Sequence, residues 1–177
     1  MDIFVKRMPV TTGNTDTATN IWLVEGSQTL LHLEFMMVDF HARLNGTIFL
    51  YSMDRCNTGR STMLDCSASQ ATTTGSDRRN DIDVTEVVAC AKAFGRKYKN
   101  LAAFSITSAA TDVKVLISEY PNGADMIVYG VSYGSTLVEH LMHLDPPTVT
   151  GYVLDATTTK SSQDTFAYFS TWETDFG

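Results

Sequence analysis

A serine between two glycines is the clearest chemical signal in the chain. Gly130 and Gly134 enclose Val-Ser-Tyr, a G-x-S-x-G pattern that follows an apolar run (residues 126–129) and precedes a helix-like segment (residues 136–144). Strand, sharp turn and helix form the context in which such a serine is a nucleophile elbow. The glycines leave the space that strand and helix need to pass closely. We therefore predict that Ser132 is a nucleophile, the alternative being a Gly/Ser-rich turn without chemistry.

A serine needs partner groups before it can attack a carbonyl carbon. Its hydroxyl is a weak nucleophile at neutral pH, so a histidine must take its proton and a carboxylate must orient that histidine. Two backbone N–H groups must also hold the developing oxyanion. The residue after the serine supplies one of these donors, which here is the N–H of Tyr133.

Few residues are candidates for the acid and the base, which follow the serine along the chain in elbow enzymes. His140 and His143 lie three residues apart on the predicted helix after Ser132, and His32 and His41 lie on an earlier helix. We expect none of these histidines to be the base. Asp155 ends a predicted strand, so it could orient a histidine at the carboxyl edge of a sheet or cap the following turn through its own backbone.

The elements that must position these groups alternate between strand and helix. Residues 21–24 and 48–51 are apolar runs of buried-strand length, and apolar residues at helical spacing separate them over residues 29–44. Such a β-α-β unit implies parallel strands. We predict further strands at residues 3–5 and 149–154, and helices at residues 83–98, 108–120 and 163–172. The alternation favours an α/β fold with a doubly wound, mostly parallel sheet.

Composition restricts the classes of function. The 177 residues suit a single domain that buries a core, with 44% hydrophobic residues. Twenty acidic and thirteen basic residues give a net charge of −7 without a basic face, so we expect no nucleic-acid partner. No apolar stretch reaches the length of a membrane span, and residues 1–10 lack the apolar centre of a signal peptide, so we expect no membrane partner. We also expect no cofactor.

Three cysteines, Cys56, Cys66 and Cys90, lack the spacing of a metal site. Cys66 and Cys90 flank a polar stretch, and a disulfide between them would close that loop; the alternative is three free, buried thiols. A disulfide would suit an oxidising, secreted environment. We predict that residues 55–82 form a long surface loop.

Several segments resemble one family when they are taken in order. They are residues 4–9 (FVKRMP), 20–23 (NIWL), 53–54 with 58–61 (MD and TGRS), 106–112 (ITSAATD) and, above all, 127–154. Together they resemble the α/β-hydrolase serine peptidases of the prolyl and tripeptidyl aminopeptidase type. The resemblance implies a peptide substrate, cleaved near its free amino terminus through an acyl-enzyme on Ser132. It also implies a second oxyanion donor in the loop after residues 21–24, where Gly26 matches the family's glycine-rich turn.

The same resemblance implies that residues 1–177 are the nucleophile-bearing, N-terminal part of one α/β-hydrolase domain. The cap region and the C-terminal part would be absent, and with them the acid and the base. We therefore expect a peptidase with little activity by itself, whose exposed sheet edge is covered by self-association or by a partner chain. Two other hypotheses remain open, a non-catalytic binding module and an esterase or lipase.

Overall fold

Strands and helices alternate along the chain in the computed structural model, which describes residues 1–25, 30–75 and 82–157. The strands are β1 (Phe4–Met8), β2 (Asn20–Glu25), β3 (Phe49–Asp54), β4 (Met126–Val131) and β5 (Gly151–Asp155). The helices are α1 (Leu30–Arg43), α2 (Ser67–Thr73), α3 (Val87–Lys97), α4 (Ile106–Glu119) and α5 (Tyr133–His143). Two 3₁₀ turns, Val84–Glu86 and Leu101–Phe104, precede α3 and α4. The helix predicted at residues 163–172 lies outside the described residues.

The strands form one sheet in the order β1-β3-β2-β4-β5. Strands β2, β3, β4 and β5 are parallel, and β1 pairs antiparallel with β3 at one edge. The chain moves from β2 to β3 in one direction across the sheet and from β4 to β5 in the other. A topological switch point therefore lies between β2 and β4, where open α/β sheets bind their ligands. The predicted doubly wound, mostly parallel sheet is confirmed.

Helices cover both faces of the sheet because the buried residues of β2 alternate between them. Trp22 and Val24 belong to a cluster with α4 and α5, whose buried members include Val113, Ile117, Leu137 and Leu141. Leu23 packs instead with Met37 of α1. Strand β5 is the other edge of the sheet, and its Val153 and Leu154 are exposed.

The predicted loop at residues 55–82 contains a helix, α2. Its Gln70 is fully buried and donates a hydrogen bond to the carboxylate of Glu86, 3.1 Å away. Glu86 also accepts from the backbone N–H of Asp83 at 3.0 Å, which completes a capping box at the start of the Val84–Glu86 turn. The hydroxyl of Thr74 donates to the same carboxylate. This bond, with those from Gln70 and Asp83, lowers the pKa of Glu86 against the effect of burial and keeps the carboxylate charged. The partner of α2, Glu86, thus lies after the predicted loop, and the threonine-rich sequence within the loop gives no signal of it.

The predicted disulfide between Cys66 and Cys90 is present and links the start of α2 to α3. Cys56 is a buried free thiol, and burial raises its pKa. A membrane-spanning helix would have to be longer and more apolar than any helix in the described ranges.

Candidate active site

Ser132 occupies the turn between the last residue of β4 and the first residue of α5. Its backbone has φ 56° and ψ −126°, a conformation that an L-residue with a side chain rarely adopts. Such strain persists only where the surrounding structure imposes it, and it is concentrated at functional sites. The side chain of Ser132 is exposed at the carboxyl edge of the parallel strands, beside the switch point. This is the strand, turn and helix that the G-x-S-x-G pattern predicts.

The two glycines of the pattern are required by close backbone contacts. A Cβ atom on Gly134 would lie 2.0 Å from the carbonyl oxygen of Val24 in β2. A Cβ atom on Gly130 would lie 2.6 Å from the carbonyl oxygen of Gly134 and 2.7 Å from Cγ2 of Val138. Neither position has room for a side chain, so strand and helix approach each other as closely as their backbones allow.

Backbone hydrogen bonds hold the turn on both sides of Ser132. Its N–H donates to the carbonyl oxygen of Asp155 at 3.0 Å, and its own carbonyl accepts from the N–H of Ser135 at 2.9 Å. The hydroxyl of Ser135, which is fully buried, donates to the same carbonyl at 2.6 Å. Sequence reasoning missed Ser135, although a serine three residues after a helix-starting residue is suited to this bond.

The N–H of Tyr133 opens the first turn of α5. The first N–H groups of a helix have no carbonyl partner within it, and the helix dipole makes this end attractive to negative charge. Glu25 pairs with Val131 in the β2–β4 register, so the loop after β2 starts beside the elbow. Gly26, the candidate for the second oxyanion donor, lies outside the described residues.

The carboxylate of Asp155 interacts with Tyr129 on the neighbouring strand. The Tyr129 hydroxyl donates to the Asp155 carboxylate at 2.5 Å. This bond, together with burial, raises the pKa of Tyr129 to about 12. Neither of the roles considered for Asp155 included this partner. Val131 is the register partner of Asp155, and Tyr129 lies two residues before Val131 on the same face of β4. Tyr129 and Asp155 therefore lie on one face of adjacent strands.

The histidines with described side chains lie away from the elbow. His140 and His143 occupy the last turn of α5. At 1.5 Å of rise per residue they are about 12 Å or more along the helix from Ser132. His41 forms a hydrogen bond with the carbonyl oxygen of Pro9 at 2.9 Å, near the opposite edge of the sheet. The side chain of His32 lies outside the described part of the chain.

The loop after β3 is held by Asp54 and contacts Tyr133. The Asp54 carboxylate accepts from the backbone N–H of Arg60 at 2.9 Å, and the Arg60 guanidinium lies 3.7 Å over the ring of Phe4. The guanidinium of Arg55 stacks 4.5 Å over the ring of Tyr133, which ties this loop to the residue that follows Ser132. Within the described ranges, no group of acidic, histidine or cysteine side chains is arranged to hold a metal ion.

Comparison with known proteins finds similarity at the level of the fold. No protein-family model matches the chain, and no curated protein matches it. Among solved structures, MGS-M2, an alpha/beta hydrolase enzyme from a Medee basin deep-sea metagenome library, is 15% identical with a TM-score of 0.51 and covers 91% of this chain. A deformylase from Pseudomonas putida S16 is 12% identical (TM-score 0.49, 86% of this chain). A monoglyceride lipase variant from Saccharomyces cerevisiae is 15% identical (TM-score 0.45, 86% of this chain).

The chain spans less than half the length of these structures, from 40% to 43%. Its sheet order, its switch point between β2 and β4, and its likeness to MGS-M2 agree with one another. The described part of the chain therefore has the α/β-hydrolase fold, over about two fifths of the length of such an enzyme.

Proposed function

We propose that this chain carries the nucleophile and one oxyanion donor of a serine hydrolase. The observation that carries the proposal is the backbone of Ser132, which is held at φ 56° with its side chain exposed at the switch point. A turn without chemistry would gain stability from a glycine at such a position, because glycine adopts positive φ at little cost. The elbow instead places glycines at 130 and 134 and a strained serine between them.

The reaction would proceed by acyl transfer. The base takes the proton of the Ser132 hydroxyl as its oxygen attacks the substrate carbonyl carbon, and the N–H of Tyr133 stabilises the resulting oxyanion. The carbonyl then re-forms as the bond to the leaving group breaks, the leaving group takes that proton, and an ester remains on Ser132, which water hydrolyses. We assign the base and the acid to residues outside the described part of this chain. Without them, only a small residual rate is expected, since triad members act as a unit.

A peptide with a free amino terminus is the substrate that the sequence favours. The segments that resemble prolyl and tripeptidyl aminopeptidases include Asp54 and Arg60, and these two residues brace the loop beside the elbow. Peptide hydrolysis requires protonation of an amine leaving group, which is the task of the histidine.

Ester hydrolysis is the second candidate. Its leaving group departs with less help from a proton than an amine does, so the exposed hydroxyl of Ser132 and the N–H of Tyr133 could support it in the absence of a nearby histidine. The two candidates differ in the leaving group and share the same nucleophile.

Labelling with a fluorophosphonate tests the nucleophile directly. We expect slow formation of a single adduct on Ser132, detected by mass spectrometry of the intact chain and of its peptides, and no adduct in Ser132→Ala. Ser118→Ala is the matched control, because Ser118 is an exposed serine on α4, where its hydroxyl donates to the carbonyl of Val115. Equal labelling of wild type and Ser132→Ala would refute the proposal, as would a wild-type chain that stays unlabelled and folded.

Substrate class is tested with two compounds that share one aminoacyl group, a p-nitrophenyl ester and a p-nitroanilide. Cleavage of both by wild type and of neither by Ser132→Ala would support the peptidase. Cleavage of the ester alone would favour the esterase.

A further inference from the structure

A cavity of about 370 Å³ lies at the edge of the sheet opposite Ser132. Its lining includes Arg7, Phe49, Tyr51, Glu119 and Tyr120. Phe49 begins β3 and Glu119 ends α4, whereas Ser132 follows the end of β4. The volume is within the range of small-molecule sites. The chemistry proposed for Ser132 does not use this cavity.

Aromatic rings form one wall of the cavity. Tyr51 stacks on Trp22 with ring centroids 4.9 Å apart, and Tyr120 lies 6.0 Å from Tyr51. Trp22 and Tyr51 are buried, so their rings are fixed in place by the core. Burial also raises the pKa of the Tyr51 hydroxyl, which keeps this wall uncharged. Tyr120 is the exposed ring of this wall, at 45%, whereas Tyr51 is 3% exposed. The ring of Tyr120, packed against the buried rings, is therefore the surface that another ring can reach.

Charged groups of both signs line the same cavity. The guanidinium of Arg7 lies 4.4 Å over the ring of Phe49 and 5.7 Å from the ring of Tyr51. These contacts hold its N–H donors beside the aromatic wall. No carboxylate of the described residues forms an ion pair with Arg7, although Asp16 and Glu119 also line the cavity. An arginine held in this way is suited to bind a carboxylate in bidentate fashion.

Asn122 fixes the two loops that enclose the cavity. Its amide nitrogen donates to the carbonyl oxygens of Thr15 at 3.0 Å and Ala18 at 2.8 Å. Its amide oxygen accepts from the N–H of Ala124 at 3.1 Å and from the buried side chain of Asn20. Asp16 on the loop before β2 is thereby held at a defined distance from the turn after α4, so the site is formed before a ligand arrives.

We propose that this cavity binds a free α-amino acid with an aromatic side chain. Its carboxylate would pair with Arg7, its ammonium group with Asp16 or Glu119, and its ring would lie on the exposed ring of Tyr120. A zwitterion can pair with Arg7 and with a carboxylate at once. A simple anion would be repelled by the two carboxylates, and a simple cation would leave Arg7 without a ligand group to bind.

Calorimetric titration of the intact chain tests this inference with L-phenylalanine as the probe. Two analogues each remove one group, phenethylamine the carboxylate and 3-phenylpropionate the ammonium, and L-alanine removes the ring. We expect each of the three to bind at least about tenfold more weakly than L-phenylalanine. A hydrogen bond to a charged group and the burial of a phenyl ring each contribute about this much or more.

Arg7→Gln should lower the affinity for L-phenylalanine about tenfold or more and leave that for phenethylamine unchanged or higher. Arg96→Gln is the control, because it makes the same change in net charge on α3, away from the cavity. Ser132→Ala should bind as wild type does. Absence of saturable binding by the folded wild type, or equal affinities of Arg7→Gln and Arg96→Gln, would overturn the inference.

Discussion

The close approach of α5 to β2 makes Gly134 the most sensitive small residue of the elbow. Replacement by alanine adds one methyl group, whose carbon would lie 2.0 Å from the carbonyl oxygen of Val24, 2.7 Å from its carbonyl carbon and 3.1 Å from Cα of Glu25. All three neighbours are backbone atoms, so no side chain can rotate away. Relief requires α5 and β2 to separate by about 1 Å or more, out of a close-packed interior.

The free energy of this change has two opposing parts. In a helix, alanine is favoured over glycine by about 1 kcal/mol. Overpacking of a core costs about 1 to 3 kcal/mol, and the upper part of that range applies where only backbone can move. We therefore expect Gly134→Ala to lower the free energy of unfolding by about 2 kcal/mol.

Gly95 provides the matched control because it also lies in a helix, α3, but has open space where a Cβ atom would be added. Gly95→Ala should raise the free energy of unfolding by about 0.5 to 1 kcal/mol. Urea unfolding followed by circular dichroism measures both variants, with thermal midpoints as a second readout. A Gly134→Ala protein as stable as Gly95→Ala would refute the close contact between α5 and β2.

Further predictions concern the Cys66–Cys90 disulfide and the hydrogen bond between Tyr129 and Asp155. Reduction of the Cys66–Cys90 disulfide should lower the free energy of unfolding by about 3 kcal/mol in the chain-entropy model, seen as a lower thermal midpoint in reductant, while Cys56 stays inaccessible to alkylation until the chain unfolds. Titration of tyrosine absorbance should show one phenol with a pKa of about 12, and Asp155→Asn should move the pKa of Tyr129 towards 10. Because the folded pKa is the higher one, the stability from this pair is complete below pH 10 and is lost as the pH rises towards 12; an unchanged titration in Asp155→Asn would contradict the assigned hydrogen bond.

The sequence predicts features whose causes are local. The elbow at Ser132 and the helical segment that begins after Asp83 both arise from residues a few positions apart, and both are present. The β-α-β unit from β2 to β3 follows from periodicity in the same way.

Features that depend on distant partners could not be predicted from the pattern. The order of the strands places β4 beside β2 although about a hundred residues separate them, and this order brings Gly134 against Val24. The pairing of Tyr129 with Asp155 depends on the same register. The cavity beside Arg7 requires β1 to lie antiparallel to β3, which its short apolar run does not specify.

The N–H of Ser132 donates a hydrogen bond to the carbonyl of Asp155, so the turn at Ser132 needs a stretch of chain long enough to include Asp155. Three neighbouring strands hold it: β2 through its backbone at Val24, β4 by direct continuity, and β5 from the far side. A fragment that ended after α5 would keep the whole G-x-S-x-G motif but would lose the hydrogen bond from Ser132 to β5. The smallest unit able to present this hydroxyl as described therefore extends through Asp155.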